Sequence, residues 1–79
     1  MSGVSLTLHA MTTWLYAYDG GKPFAWTSDG RDYWIVGGST WWARRDGKWL
    51  YSPRGRVVGY FDGQTVYDSD THRPAYFVG

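Results

Sequence analysis

The chain repeats itself. Gly30, Gly47, Gly63 and Gly79 lie 17, 16 and 16 residues apart, and three of them follow aspartate, in Asp29-Gly30, Asp46-Gly47 and Asp62-Gly63. Tyr16, Tyr33, Tyr51 and Tyr67 are spaced by 17, 18 and 16 residues, and four residues after each comes Gly20, Gly37, Gly55 or Thr71. A period this short limits each unit to one supersecondary element, which buries its apolar face only against its neighbours.

Each unit reads as a β-hairpin. An aromatic run opens it, at Trp14-Leu15-Tyr16, Tyr33-Trp34-Ile35, Trp49-Leu50-Tyr51 and Val66-Tyr67. A turn follows, and a second run returns from Pro23, Trp41, Val57 and Ala75. Asp-Gly and Gly-Gly supply the positive φ that tight hairpin turns require. The expected structural turn glycines are Gly20, Gly30, Gly37, Gly47, Gly55 and Gly63. Helical periodicity is absent, and so is Glu. The fold class is therefore all-β: four β-hairpin repeats of 16–18 residues, at about 14–30, 31–47, 48–63 and 64–79, in one domain over residues 1–79. An open row of hairpins leaves two bare edges, an aggregation hazard that closure about a pseudo-fourfold axis removes. Ahead of the repeats, Val4, Leu6 and Leu8 alternate with Ser5, Thr7 and His9, the period-2 pattern of an N-terminal strand within residues 1–13.

The stretch 49–63, Trp49-Leu50-Tyr51-Ser52-Pro53-Arg54-Gly55-Arg56-Val57-Val58-Gly59-Tyr60-Phe61-Asp62-Gly63, resembles the repeat of the 4-fold beta flower domain. So do Leu15-Tyr16-Ala17-Tyr18-Asp19-Gly20-Gly21-Lys22-Pro23-Phe24-Ala25-Trp26 and Val66-Tyr67-Asp68-Ser69-Asp70. The resemblance covers about residues 14–79. It implies four hairpin units about a pseudo-fourfold axis and no particular activity. The chain departs from it at Trp41-Trp42, where other units carry a small residue before an aromatic, and at Thr71 in place of a turn glycine. A single unit, Gly47-Lys48-Trp49-Leu50-Tyr51 with Gly55-Arg56-Val57-Val58-Gly59-Tyr60, is also similar to a choline-binding or cell-wall-binding repeat. That likeness implies an open solenoid and aromatic cages for quaternary ammonium groups.

Composition narrows the function. The chain has no Cys, all seven of its acids are Asp, and its formal charge is +1, which argues against thiolate metal sites and a strongly basic nucleic-acid binder. No apolar run approaches the roughly 18 residues of a membrane helix. Neither a signal peptide nor a transmembrane segment is visible, and a cytoplasmic location is the default expectation. No cofactor or metal is expected. Asp68-Ser69-Asp70 with His72 reads as a turn, because a calcium loop needs more carboxylates at defined spacing. No nucleophile elbow or dinucleotide fingerprint appears, so the protein is expected not to be an enzyme.

Six Trp, seven Tyr and three Phe make up 20% of the chain, against only eleven Leu, Ile and Val. Most Trp residues are therefore expected in the core. Trp41-Trp42 is the exception, since neighbours on a strand point to opposite faces. The outward member, beside Arg44 and Arg45, is the expected contact surface, and Trp41, Trp42, Arg44 and Arg45 are the candidate binding residues. The expected role is a non-enzymatic module for a protein partner or for self-association. A glycan or quaternary ammonium ligand is the alternative. Single-stranded nucleic acid ranks third, because Asp46 and Asp62 dilute the basic patch.

Overall fold

The computed structural model describes residues 12–79. Eight strands follow one another: β1 (Thr13–Ala17), β2 (Pro23–Thr27), β3 (Asp32–Ile35), β4 (Trp41–Asp46), β5 (Trp49–Tyr51), β6 (Val57–Asp62), β7 (Thr65–Asp68) and β8 (Pro74–Val78). Each pairs antiparallel with the next, and β8 pairs back onto β1, with Leu15 opposite Val78 and Tyr16 opposite Phe77. The expected closed all-β arrangement of four hairpins is thus the observed one. The closing ladder also overturns the open solenoid, because it occupies the two edges such a row would leave bare. The strand expected ahead of the repeats, at residues 4–9, lies outside the described residues. Both edges of β1 are already taken, by β2 and β8.

The four hairpins share one irregularity. In each, the register slips between the same two positions of the first strand: Leu15/Tyr16, Tyr33/Trp34, Leu50/Tyr51 and Val66/Tyr67. The extra residue on the returning strand is Phe24, Trp42, Val58 or Ala75. A β-bulge bends a strand and re-aims a side chain. Here Phe24, Trp42 and Val58 pack against the core although Ala25, Ala43 and Gly59 beside them already face inward. The bulges therefore both curve the sheet towards closure and add a layer to its interior.

The slip also sets the true alignment of the repeats. Tyr33 is equivalent to Leu15, Leu50 and Val66, and Trp34 is the partner of Tyr16, Tyr51 and Tyr67. Spacing alone places Tyr33 with the other tyrosines. It is misled because Tyr33 and Trp34 are both aromatic, so hydrophobicity cannot say which faces in. The fourth turn shifts likewise. The left-handed residue is His72, with φ 59°, and not Thr71. His72 N–H donates to the Asp68 carbonyl at 2.8 Å, as Gly21 N–H donates to Ala17 at 3.0 Å in the first unit.

At mid-height the interior alternates large and small. Leu15 faces Ala25, Tyr33 faces Ala43 and Leu50 faces Gly59. The fourth pair reverses the order, with Val66 opposite Tyr76. The space left by three small residues takes the Tyr76 ring, which stacks on Phe24 at 4.3 Å and meets Trp42 edge-on at 5.4 Å. Burial holds the Tyr76 phenol above its ordinary range, and the Asp68 charge adds to the shift. The inward residue of the returning strand is therefore small in the first three units, Ala25, Ala43 and Gly59, and is Tyr76 in the fourth, and in the second unit Arg44 follows it in place of an aromatic.

The expectation that most Trp residues fill the core is overturned. The buried set is Leu15, Ala25, Tyr33, Ala43, Leu50, Phe61 and Val66, and it contains no Trp. An eight-stranded barrel has an interior just wide enough for side chains to fill. Eight strands converging on that axis leave room for alanine beside leucine but not for a ring of indoles. Only Trp42, carried by a bulge, reaches the core.

Candidate functional site

Because the narrow interior has no room for a ring of indoles, most of the tryptophans line the outside. Following paired residues around the barrel traces four outer stripes. The first is Trp14, Trp26, Trp34 and Trp41, one indole from each of β1 to β4. The second is Asp32, Arg44, Tyr51 and Val57. The third is Trp49, Tyr60, Tyr67 and Pro74. The fourth is Thr65, Phe77, Tyr16 and Pro23. Three stripes are aromatic and one is charged.

The aromatic stripes differ in how their rings are engaged. In the third, Tyr60 stacks on Tyr67 at 5.5 Å and lies 5.6 Å from Trp49, while its hydroxyl contacts His72 Nδ1 at 3.2 Å. In the fourth, Tyr16 stacks on Phe77 at 5.6 Å. Among the described residues no such ring pair forms within the first stripe. Its outer members are 39% (Trp14) and 38% (Trp41) exposed, and Trp26 and Trp34 are half-buried between them. Four aligned indoles, the outer two exposed, form an apolar stripe on the barrel wall, with Arg44 following three residues after Trp41 on β4.

The four sequence candidates divide between surfaces. Trp41 faces out into the first stripe, and Trp42 packs inward against Phe24 and Tyr76. Arg44 is exposed in the second stripe. Arg45 turns towards the barrel end, where its guanidinium lies 3.9 Å from the Phe61 ring centroid and its Nε donates to the Gly47 carbonyl at 2.7 Å. Trp41 and Arg44 thus share the outer wall, while Trp42 and Arg45 do not belong to it. Sequence reasoning missed Trp14, Trp26 and Trp34 as surface residues. The signal that finds them is cross-strand register, which a single unit does not contain.

Two carboxylates organise turns around these surfaces. Asp29 Oδ1 accepts from Arg31 N–H at 2.8 Å, Asp32 N–H at 2.9 Å and the Thr27 hydroxyl at 3.1 Å. Those backbone donors hold its carboxyl below the usual range. Asp68 Oδ1 accepts from Asp70 N–H at 2.7 Å and Thr71 N–H at 3.0 Å, with the same consequence. The segment Asp68-Ser69-Asp70 is thus a capped turn. Among the described residues no group of three potential metal ligands gathers, and no helix is long and apolar enough to cross a membrane. No protein-family model, curated protein or solved structure matches the chain.

Proposed function

We propose that this barrel is a non-enzymatic, self-associating interaction module of the 4-fold beta flower kind, whose working surface is the stripe Trp14, Trp26, Trp34 and Trp41. The observation that carries the reading is the stripe itself: four aligned indoles, two of them more than a third exposed, on the outer wall of the barrel. An apolar stripe on an outer wall is matched by another broad surface better than by a small ligand, which needs concave walls to be desolvated. Tryptophan is among the residues that dominate interface energetics. Charge favours a second copy as the partner. Residues 31–56 hold six Lys and Arg against two Asp, whereas the rest of the chain holds two against five. Opposite halves of two copies attract. The four hairpins closed about one axis support the family likeness.

The test is sedimentation over a concentration series. The mass of the native chain rises with concentration, and the association weakens with salt. Trp14→Ser and Trp41→Ser keep the barrel and weaken association roughly tenfold or more each, as truncation of interface anchors does. A chain that stays monomeric throughout, but whose Trp fluorescence saturates with choline or an oligosaccharide, would transfer the stripe to the ligand-binding reading.

A further inference from the structure

The four hairpins serve as one another's controls. The position of Arg44 is held by Trp26, Tyr60 and Phe77 in the other units, and that of Arg45 by Thr27, Phe61 and Val78. Only the second unit places arginine at either. An inward-turned arginine at a barrel end gives up packing that Phe61 and Val78 supply at the matching positions, and such departures from a local rule concentrate at functional sites.

Arg45 is also preorganised. Its Nε is fixed by the Gly47 carbonyl at 2.7 Å and one face of its plane by the Phe61 ring at 3.9 Å. The Nη edge of a guanidinium carries four further donors. Arg31 is brought alongside by the backbone, since its carbonyl accepts from Arg45 N–H at 2.7 Å. The Asp29 carboxylate holds that loop through Arg31 N–H and Asp32 N–H. Arg31, Arg44, Arg45, Asp46 and Gly47 line a shallow cleft of about 210 Å³, with three cations against one carboxylate.

We propose that this cleft binds a phosphate group, free or carried by a small phosphomonoester. A phosphate offers three oxygens to three guanidiniums, and the planar fork of arginine matches phosphate geometry with paired hydrogen bonds. A carboxylate has only two oxygens to offer. A nucleic-acid track would need cations continuing around the barrel, but outside residues 31–56 aspartates outnumber Lys and Arg by five to two. The site is separate from the Trp stripe and does not depend on it.

The experiment follows the melting temperature of the full chain in inorganic phosphate, in acetate and in potassium chloride at matched ionic strength. Phosphate raises it saturably, because a ligand of the native state stabilises by mass action, and the other two salts do not. The double variant R44Y/R45T carries residues that Tyr60 and Thr27 already supply at the matching positions. It folds and loses the response, with affinity reduced roughly tenfold or more. Should it fail to fold, the exposed single variant Arg44→Gln gives the same readout. A rise equalled by acetate or chloride, or retained in the arginine variants, would overturn the site. Tighter binding of a single-stranded oligonucleotide without a terminal phosphate would overturn the phosphomonoester assignment.

Discussion

Gly59 shows how one atom is decided by its surroundings. Its symmetry partners Ala25 and Ala43 carry a methyl group at full burial, so by repeat logic alanine fits here too. At Gly59, however, an added Cβ would lie 2.7 Å from the Tyr67 carbonyl oxygen and 3.3 Å from Val66 Cγ1. The nearer atom is backbone and cannot swing away. Gly59→Ala therefore destabilises the barrel by about 1–3 kcal/mol, the usual cost of overpacking a filled core. A lowered urea midpoint at unchanged slope checks it. Arg45 is the opposite case, a polar residue at an inward position, kept there by one hydrogen bond and one aromatic face.

The elements are held by their turns as much as by their strands, which are three to six residues long. Gly47 and Gly63 begin two-residue turns with φ 63°, the positive value a primed turn needs at its first central position. Asp29 and Asp68 organise longer turns by accepting backbone N–H bonds as carboxylates, which lowers both pKa values from an ordinary 3.8. A lowered folded-state pKa means that the stabilisation is present above the unfolded value and is lost as pH falls through the folded one. The melting temperature accordingly drops on acidification below about pH 4. Asp29→Asn and Asp68→Asn flatten that acid limb while leaving the neutral-pH curve shape unchanged. The effect is modest, because Asp29 is exposed and Asp68 only partly covered, so solvent screens both. A melting series from about pH 6 to about pH 2 measures it.

At the scale of the whole molecule, closure makes four weak hairpins into one domain. An isolated hairpin is at best marginal in water. Here every strand has two neighbours, and Leu15, Tyr33, Leu50 and Val66 from four different hairpins meet in one core. Deleting residues 64–79 removes β7 and β8 together with Val66 and Tyr76, and leaves the free edges of β1 and β6. The truncated chain does not fold as a monomer. Loss of the near-ultraviolet aromatic signal with rising aggregate mass is the expected result, and a monomeric three-hairpin barrel would contradict it. The same closure sorts the aromatics. A narrow interior forces the indoles onto the wall, where their alignment over four strands forms the stripe.

Much of this was legible in the residues alone. Glycine spacing and aromatic runs are local signals, and they suffice for the hairpins, their number, the positive-φ turns and the need for closure. Strand alternation also leads one to expect Trp41 and Trp42 on opposite faces, and they are, although it is the bulge that turns Trp42 inward beside the buried Ala43. The inward register of Tyr33, the left-handed His72, the four bulges and the outward face of Trp14, Trp26 and Trp34 did not follow. Each depends on which residue of one strand lies opposite which residue of another. Where successive residues are all aromatic, a hydrophobic pattern carries no phase to set that register. Only packing eight strands around one narrow axis decides it, because there large side chains fit only opposite small ones and a ring of indoles does not fit.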